Sequence, residues 1–315
     1  MKVVVIGNCT VDLVFRVPRF PQPGETVLAD GRMVDVGGKG SNQAVAASRC
    51  GVETVFLAAV GGDADGDTIR HRLAAESLQL DHLMTVPVPT DVSVIYVAPS
   101  GENQIVSAHR ATDTVTPADA DRVLGRIDSG DVLLMQGNLP LELTRHSLAQ
   151  GRRRGARTVL NPAPIKYGYD TLWPVVDYAI PNEIELRDLG GDGDPLVGGR
   201  ALLAGGAGLV VATLGGRGAV LVSPDGARDV PAQRIDAVDT TGAGDVLCGV
   251  FAAGLALGLD PDDAARVAVR AASLSVTRPG TQSSFPSEAE LSDIFDAAAG
   301  GGIRTTHTDR ARAFE

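Results

Sequence analysis

Aromatic residues are scarce, at 4% of 315 positions, so the chain lacks the stacking platforms that hold single-stranded nucleic acid. Positive charge is short as well: 28 Lys and Arg face 39 Asp and Glu, for a net charge of −11. The one basic cluster, Arg152-Arg153-Arg154, falls at an expected helix end and reads as a solvated turn. Nucleic acid and anionic membranes are therefore poor partners. Cysteine is limited to Cys9, Cys50 and Cys248, an odd number without C-x-x-C spacing, which fits reduced thiols in the cytoplasm. The five histidines show no metal-ligand spacing. Long apolar runs are missing too. Val246–Leu259, bounded by Asp245 and Asp260, has the length of a buried helix rather than a membrane span. Lys2 leads straight into Val3–Ile6 and Gly7, with no secretory pattern. A soluble, cytoplasmic protein is expected.

Glycine, by contrast, is plentiful at 38 residues, so many backbone positions need tight turns or close approach. Short β-branched runs alternate with longer amphipathic stretches, the pattern of a mostly parallel sheet with helices on both faces. Strands are predicted at 3–6, 54–59, 132–135, 158–160, 178–180, 209–213 and 219–222. Helices are predicted at 42–50, 66–76, 117–127, 141–153 and 184–189. Thr116-Pro117 reads as an N-cap with Pro at the first helical position, and Gly51 and Gly155 as helix stops. Two segments, 11–36 and 92–109, break this rhythm with alternating residues and turns. Val92–Val97 is apolar on both faces, so it covers something. It forms either a small β-lid over the carboxyl edge of the sheet or extra edge strands of that sheet. A single α/β domain over 1–299 is expected, and then a flexible tail over 300–315 that begins with Gly300-Gly301-Gly302.

Two stretches carry chemistry. Asp239-Thr240-Thr241-Gly242-Ala243-Gly244-Asp245 runs straight into an apolar helix over 246–257. Small residues at a helix entrance leave N–H groups free beside the positive end of the dipole, which makes a cradle for a phosphoryl group. Asp245 either serves as the base for an alcohol nucleophile or only complements the dipole. Gly37-Gly38-Lys39-Gly40-Ser41-Asn42-Gln43 opens a second, small-residue helix. It is not a nucleotide-binding P-loop, which needs a glycine four residues away from the Gly-Lys pair; position 33 is Met. It either closes on a hydroxyl-rich ligand through Lys39 and Asn42 or is a tight turn with a solvated lysine.

Together these two motifs resemble the signatures of the ribokinase-like (PfkB) carbohydrate kinases, and the resemblance runs from about residue 2 to 290. Gly38-Lys39-Gly40-x-Asn42 followed by Gln43-Ala44-Val45-Ala46, with Gly101-Glu102-Asn103 in the lid segment, is closer to the ribokinase branch than to the phosphofructokinase branch. The resemblance implies ATP-dependent phosphorylation of the primary hydroxyl of a pentose, with D-ribose first. Asp245 would be the catalytic base, and Gly242, Ala243 and Gly244 the anion hole. Thr10, Asp12, Gly38, Lys39, Gly40, Asn42 and Asn138 would join Asp245 around the sugar. Pro181-Asn182-Glu183-x-Glu185 is similar to a motif that places Asn182 near the phosphates and Glu185 near Mg²⁺; Asn182 is also an ordinary N-cap. Thr213, Gly215, Gly216 and Gly218 would line the nucleotide with Gly244, on a stretch that equally suits a plain hairpin. K⁺ is implied beside the anion hole, on backbone carbonyls of Asp239, Thr241, Ser275, Arg278, Gly280 and Ser284. Paired lids would make a homodimer. Two positions depart from the branch: Thr10 stands where Asn is common, and Gly137-Asn138 where a Glu is common.

Overall fold

Four consecutive fully buried residues, Val3 to Ile6, form an interior strand of the large sheet with parallel neighbours on both sides. The computed structural model describes residues 1–300 except Gly101 and Gly193. Its strands in chain order are β1 (Val3–Ile6), β2 (Thr10–Arg16), β3 (Gly31–Gly37), β4 (Thr54–Gly61), β5 (Leu78–Gln79), β6 (Leu83–Val86), β7 (Val92–Val97), β8 (Asn103–Ala108), β9 (Val132–Gln136), β10 (Arg157–Asn161), β11 (Tyr178–Ala179), β12 (Leu209–Thr213), β13 (Ala219–Ser223) and β14 (Gly226–Val230). The helices are α1 (Lys39–Ser48), α2 (Ala64–Leu73), α3 (Pro117–Leu124), α4 (Leu141–Arg153), α5 (Glu183–Gly190), α6 (Pro195–Ala204), α7 (Ala243–Ala256), α8 (Pro261–Ser275) and α9 (Glu288–Gly300).

The large sheet has ten strands in the order β14-β13-β12-β11-β10-β9-β1-β4-β5, with β6 also paired to β4. From β12 to β6 every pairing is parallel, and the β13–β14 hairpin adds an antiparallel edge. Alternate residues of one strand feed opposite layers. Val3 and Val5 pack with α1, α7, α8 and α9 residues, while Val4 and Ile6 pack with residues of α3, α4, α5 and α6. Burial on both faces is why these strands read as unbroken apolar runs. In α7 every residue from Asp245 to Ala256 is buried, and each buried Val, Leu or Phe there contributes roughly 1.5–3 kcal/mol. Helix α7 crosses α1 at Gly249, where an added Cβ would lie 2.7 Å from the Ala46 Cβ and press on the Gln43 carbonyl. Glycine is needed there for the two backbones to touch.

The segments expected to form a lid build a separate four-stranded sheet, β3-β2-β7-β8, rather than extending the large one. It springs from the carboxyl end of β1 and returns through Gly37-Gly38 into α1. Residues 17–30 of the first segment are connection rather than strand. Its apolar rows cross all four strands in register, Met33–Val14–Ile95–Ile105 on one face and Val34–Leu13–Val94–Val106 on the other. Met33, Val34, Ile105 and Val106 are exposed.

Several boundaries differ from expectation. Helix α1 starts at Lys39, three residues before the predicted start at 42, because Asn8 caps it from outside: its carbonyl accepts from the Ser41 amide at 2.9 Å and its Oδ1 from the Gly40 amide at 3.1 Å. The Thr116 cap is a reciprocal capping box with Asp119, and Gly51 and Gly155 adopt φ values of 74° and 84° after α1 and α4. Helix α9 runs to Gly300, and the tail expected beyond it lies outside the described residues. Among the described residues no helix is long and apolar enough to cross a membrane.

Candidate active site

The carboxyl edge of the large sheet gathers polar residues, as open α/β sheets do where they bind ligands. Asn8 follows β1, Gln136 ends β9, Asn161 ends β10, Asn182 follows β11 and Thr213 ends β12. Facing them is the entrance of α7. Gly242 caps that helix at φ 78° with no side-chain cap, and the amides of Gly244 and Asp245 donate to no acceptor among the described residues. A Cβ on Gly244 would meet nothing within 4 Å, so the entrance is open. Free amides at the positive helix end suit a transferring phosphoryl group.

Asp245 is 6% exposed in the first turn of α7. Its Oδ2 accepts from Asn42 Nδ2 and its Oδ1 from Gln43 Nε2, both at 3.0 Å, and Lys39 Nζ lies 3.9 Å from Oδ1. The carboxylate raises the Lys39 pKa, against burial, so the ammonium stays charged. The structure therefore brings Lys39, Asn42 and Asp245 together.

Asp12 sits on β2, in register with Asp35 and Ser93. Its carboxyl is pushed up to about 6, first by burial, with Asp35 and Asp245 adding to the rise and hydrogen bonds from Thr10 and Ser93 opposing it. Thr10 Oγ1 donates to Asp12 Oδ1 at 2.7 Å. An added Cβ on Gly37 would fall on the Asp12 carboxylate, and one on Gly40 would lie 2.6 Å from the Asn8 carbonyl. Gly38 has φ 93°. Asn138 spends its amide donor on Asn8 Oδ1, while its own Oδ1 is buried without a partner.

On the other side of the α7 entrance opens a cleft of about 730 Å³. Asn182, Thr213, Gly215, Gly216, Gly218 and Gly244, all singled out from sequence, line it together with Ala243. Gly218 has no freedom to change: at φ 97° an added Cβ would lie 2.6 Å from the Ala232 amide. Sequence reasoning missed the loop 232–237 and the α8 residues Val269, Ala272 and Ser273 on the same wall; the loop carries no periodicity and the α8 positions read as core.

Asn182 is the N-cap of α5 in a capping box: Glu185 N donates to Asn182 Oδ1 at 2.8 Å, and Asn182 N to Glu185 Oε2 at 2.9 Å. Burial raises the Glu185 pKa; Asp245 adds to that, and Asn182 and Lys39 oppose it. Each carboxylate oxygen keeps a lone pair for water or metal. Asp239 ties the loop before α7 to the loop after α8, its Oδ1 accepting from Thr241 N at 2.9 Å and Oδ2 from Gly280 N at 3.0 Å. Burial pushes this carboxyl up, but those amides outweigh it and hold the pKa below the usual value. The carbonyls of Asp239, Thr241, Arg278, Gly280 and Ser284 accept no hydrogen bond from described residues, whereas that of Ser275 accepts from Arg278 N at 3.3 Å. The Ser275 and Ser284 hydroxyls bond back to Ala272 and Thr281, and the Arg278 side chain pairs with Glu290. Carbonyls, not side chains, are what these loops offer a cation. Among the described residues no cluster of three His, Cys, Asp or Glu could hold a metal by itself.

A polar ring around Asp245 was also missed: Gln43, Gln136, Asn161 and Gln282 are all buried. The available signal was an amide residue ending an apolar parallel strand, as Gln136 and Asn161 do.

The chain matches the family model of pfkB family carbohydrate kinases over residues 1–288. It is 34% identical over 300 residues to a ribokinase of Haemophilus influenzae, covering 93% of this chain and 98% of that protein. It is 33% identical over 296 residues to a deoxyribokinase of Salmonella typhi, covering 91% and 96%. The structure of Arabidopsis thaliana ribokinase complexed with ribose and ATP superposes with a TM-score of 0.84 at 26% identity, covering 93% of this chain and 98% of that one. The chain thus belongs to the pfkB family of carbohydrate kinases.

Proposed function

We propose that the protein transfers the γ-phosphoryl group of ATP to the primary hydroxyl of a pentose, D-ribose first. The observation that carries this reading is the Asp245 carboxylate, set between free α7 amides and the Lys39–Asn42 turn. ATP would occupy the 730 Å³ cleft, with its γ-phosphate at the Gly244 and Asp245 amides. Asp12, Lys39 and Asn42 would hold the sugar so that its hydroxyl oxygen faces phosphorus. As that oxygen attacks, the bond from γ-phosphorus to the bridging oxygen breaks and the hydroxyl proton passes to Asp245; sugar phosphate and ADP leave. Mg²⁺, when bound, neutralises phosphate charge; Glu185 is the residue that would hold it, with Asn182 near the phosphates. The uncapped carbonyls of Asp239, Thr241, Arg278, Gly280 and Ser284 fit K⁺. Closure of the small sheet would exclude water from the reacting phosphate. Its exposed apolar rows suit a homodimer, and the three free cysteines suit a reducing, cytoplasmic setting.

The test is ADP release over a panel of pentoses, hexoses, sugar acids and nucleosides, each with K⁺ and with Na⁺. D-ribose should give the highest kcat/KM, and K⁺ the higher turnover. Tight sugar binding with no ADP from any acceptor would overturn the kinase reading in favour of a sensor. A second acceptor, 2-deoxy-D-ribose, is favoured by one observation: the Thr10 hydroxyl donates to Asp12 rather than facing the sugar free.

Asp12 gives the site a pH dependence. Ionised, it accepts two sugar hydroxyls; protonated, it loses acceptor capacity. The sugar KM should therefore rise as pH falls through about 6. Thr10→Val removes a bond that favours the ionised form, so the rise should begin at higher pH. An unchanged KM–pH curve in that variant would remove Asp12 from the sugar site.

A further inference from the structure

Asp245 is gripped by two neighbours on α1, Asn42 and Gln43, and the Gln43 grip has a polarity that can be traced to a backbone group. The Ile180 carbonyl can only accept, so it faces Asn161 Nδ2, which donates to it at 2.8 Å. Asn161 must then turn its Oδ1 the other way, where it accepts from Gln43 Nε2 at 3.2 Å. That fixes which end of the Gln43 amide is nitrogen. The second hydrogen on Nε2 points to Asp245 Oδ1, at 3.0 Å. Gln43 Oε1, left facing β9, accepts from Gln136 Nε2 at 2.9 Å. Gln43 and Gln136 are fully buried and Asn161 nearly so, so no water competes for these bonds and each amide orientation is set by its neighbour. A flip of any one amide would set donor against donor or acceptor against acceptor at the next.

We propose that Gln43 is the positioning residue of the catalytic base, and that the chain Ile180–Asn161–Gln43, locked by Gln136, obliges it to present an N–H to Asp245. This rests on the reading of Asp245 as base. A group that can only donate, aimed at one carboxylate oxygen, does two things. It fixes the carboxylate plane at the α7 entrance, and it leaves the other lone pair of that oxygen as the one able to receive a proton. Gln43 touches neither sugar nor nucleotide in this arrangement: it is absent from the cleft wall, and its three amide contacts are Asp245, Asn161 and Gln136.

The test compares Gln43→Met, Gln136→Met and Asp245→Asn with the parent in kcat, both KM values and Tm. Gln43→Met keeps volume and removes donor and acceptor. It should lower kcat on the order of 10- to 100-fold and leave both KM values within about 3-fold. Gln136→Met does not touch Asp245 and should show a smaller fall in kcat with both KM values kept, so the proposal stays testable even if the Gln43 variant fails to fold. A kcat unchanged in both variants, or a fall in kcat that only tracks loss of Tm, would overturn the positioning role. Asp245→Asn separates the two readings. If it retains turnover, the base assignment itself is lost; if it loses turnover while Gln43→Met and Gln136→Met do not, only the positioning role is.

Discussion

Replacing Asp245 by Asn is expected to lower turnover by about 10²–10⁴-fold while nucleotide affinity stays near that of the parent. The size follows from what the carboxylate alone supplies. Asn42 and Gln43 each donate to one of its oxygens; an amide has a single acceptor oxygen, so it can satisfy one of them and must set nitrogen against the other. The variant therefore loses the proton acceptor and its register together. The nucleotide does not depend on that side chain, because the cleft is lined at this end by Ala243 and Gly244 and not by Asp245. Steady-state kinetics with an independent nucleotide titration would check both halves. An unchanged rate would remove the base.

The second large effect separates function from stability at one atom. Gly244 lies in the first turn of α7, lines the cleft, and has open space where a side chain would begin. Alanine there costs nothing in packing and helps the helix by roughly 0.5–1 kcal/mol. Its methyl group, however, projects into the space where the γ-phosphate must approach the free amides. Gly244→Ala should hold or slightly raise Tm while kcat/KM for ATP falls on the order of 10- to 100-fold. Full activity in a folded Gly244→Ala protein would show that no phosphate comes within reach of this helix entrance.

Much of this architecture was legible from periodicity. Strands buried on both faces gave unbroken apolar runs, and β1 and β12 begin and end at the predicted residues. Two-residue β5 and the short β6 escaped because so few positions carry no period. Helix α1 begins earlier than its apolar pattern because Asn8, far away in sequence, supplies the cap; a tertiary cap leaves no local trace. The site divides in the same way. Its glycines and Asp245 stand in contiguous motifs, and the sequence alone pointed to them. The amides that orient Asp245 come from four separate elements, α1, β9, β10 and the loop after α8, and only the fold brings them together. Nor did spacing distinguish Asn182 as a cap from Asn182 as a ligand, since a capping box leaves its amide at the cleft wall in either role.

The backbone contact between α1 and α7 at Gly249 has an evolutionary corollary. Helices α1 and α7, proposed to hold the acceptor and the phosphoryl group, are bolted together in the interior, so the gap between them does not ride on the outer sheet. Exchanging β2, β3, β7 and β8 for the equivalents of a relative should retune which acceptor is admitted and leave the transfer step itself intact.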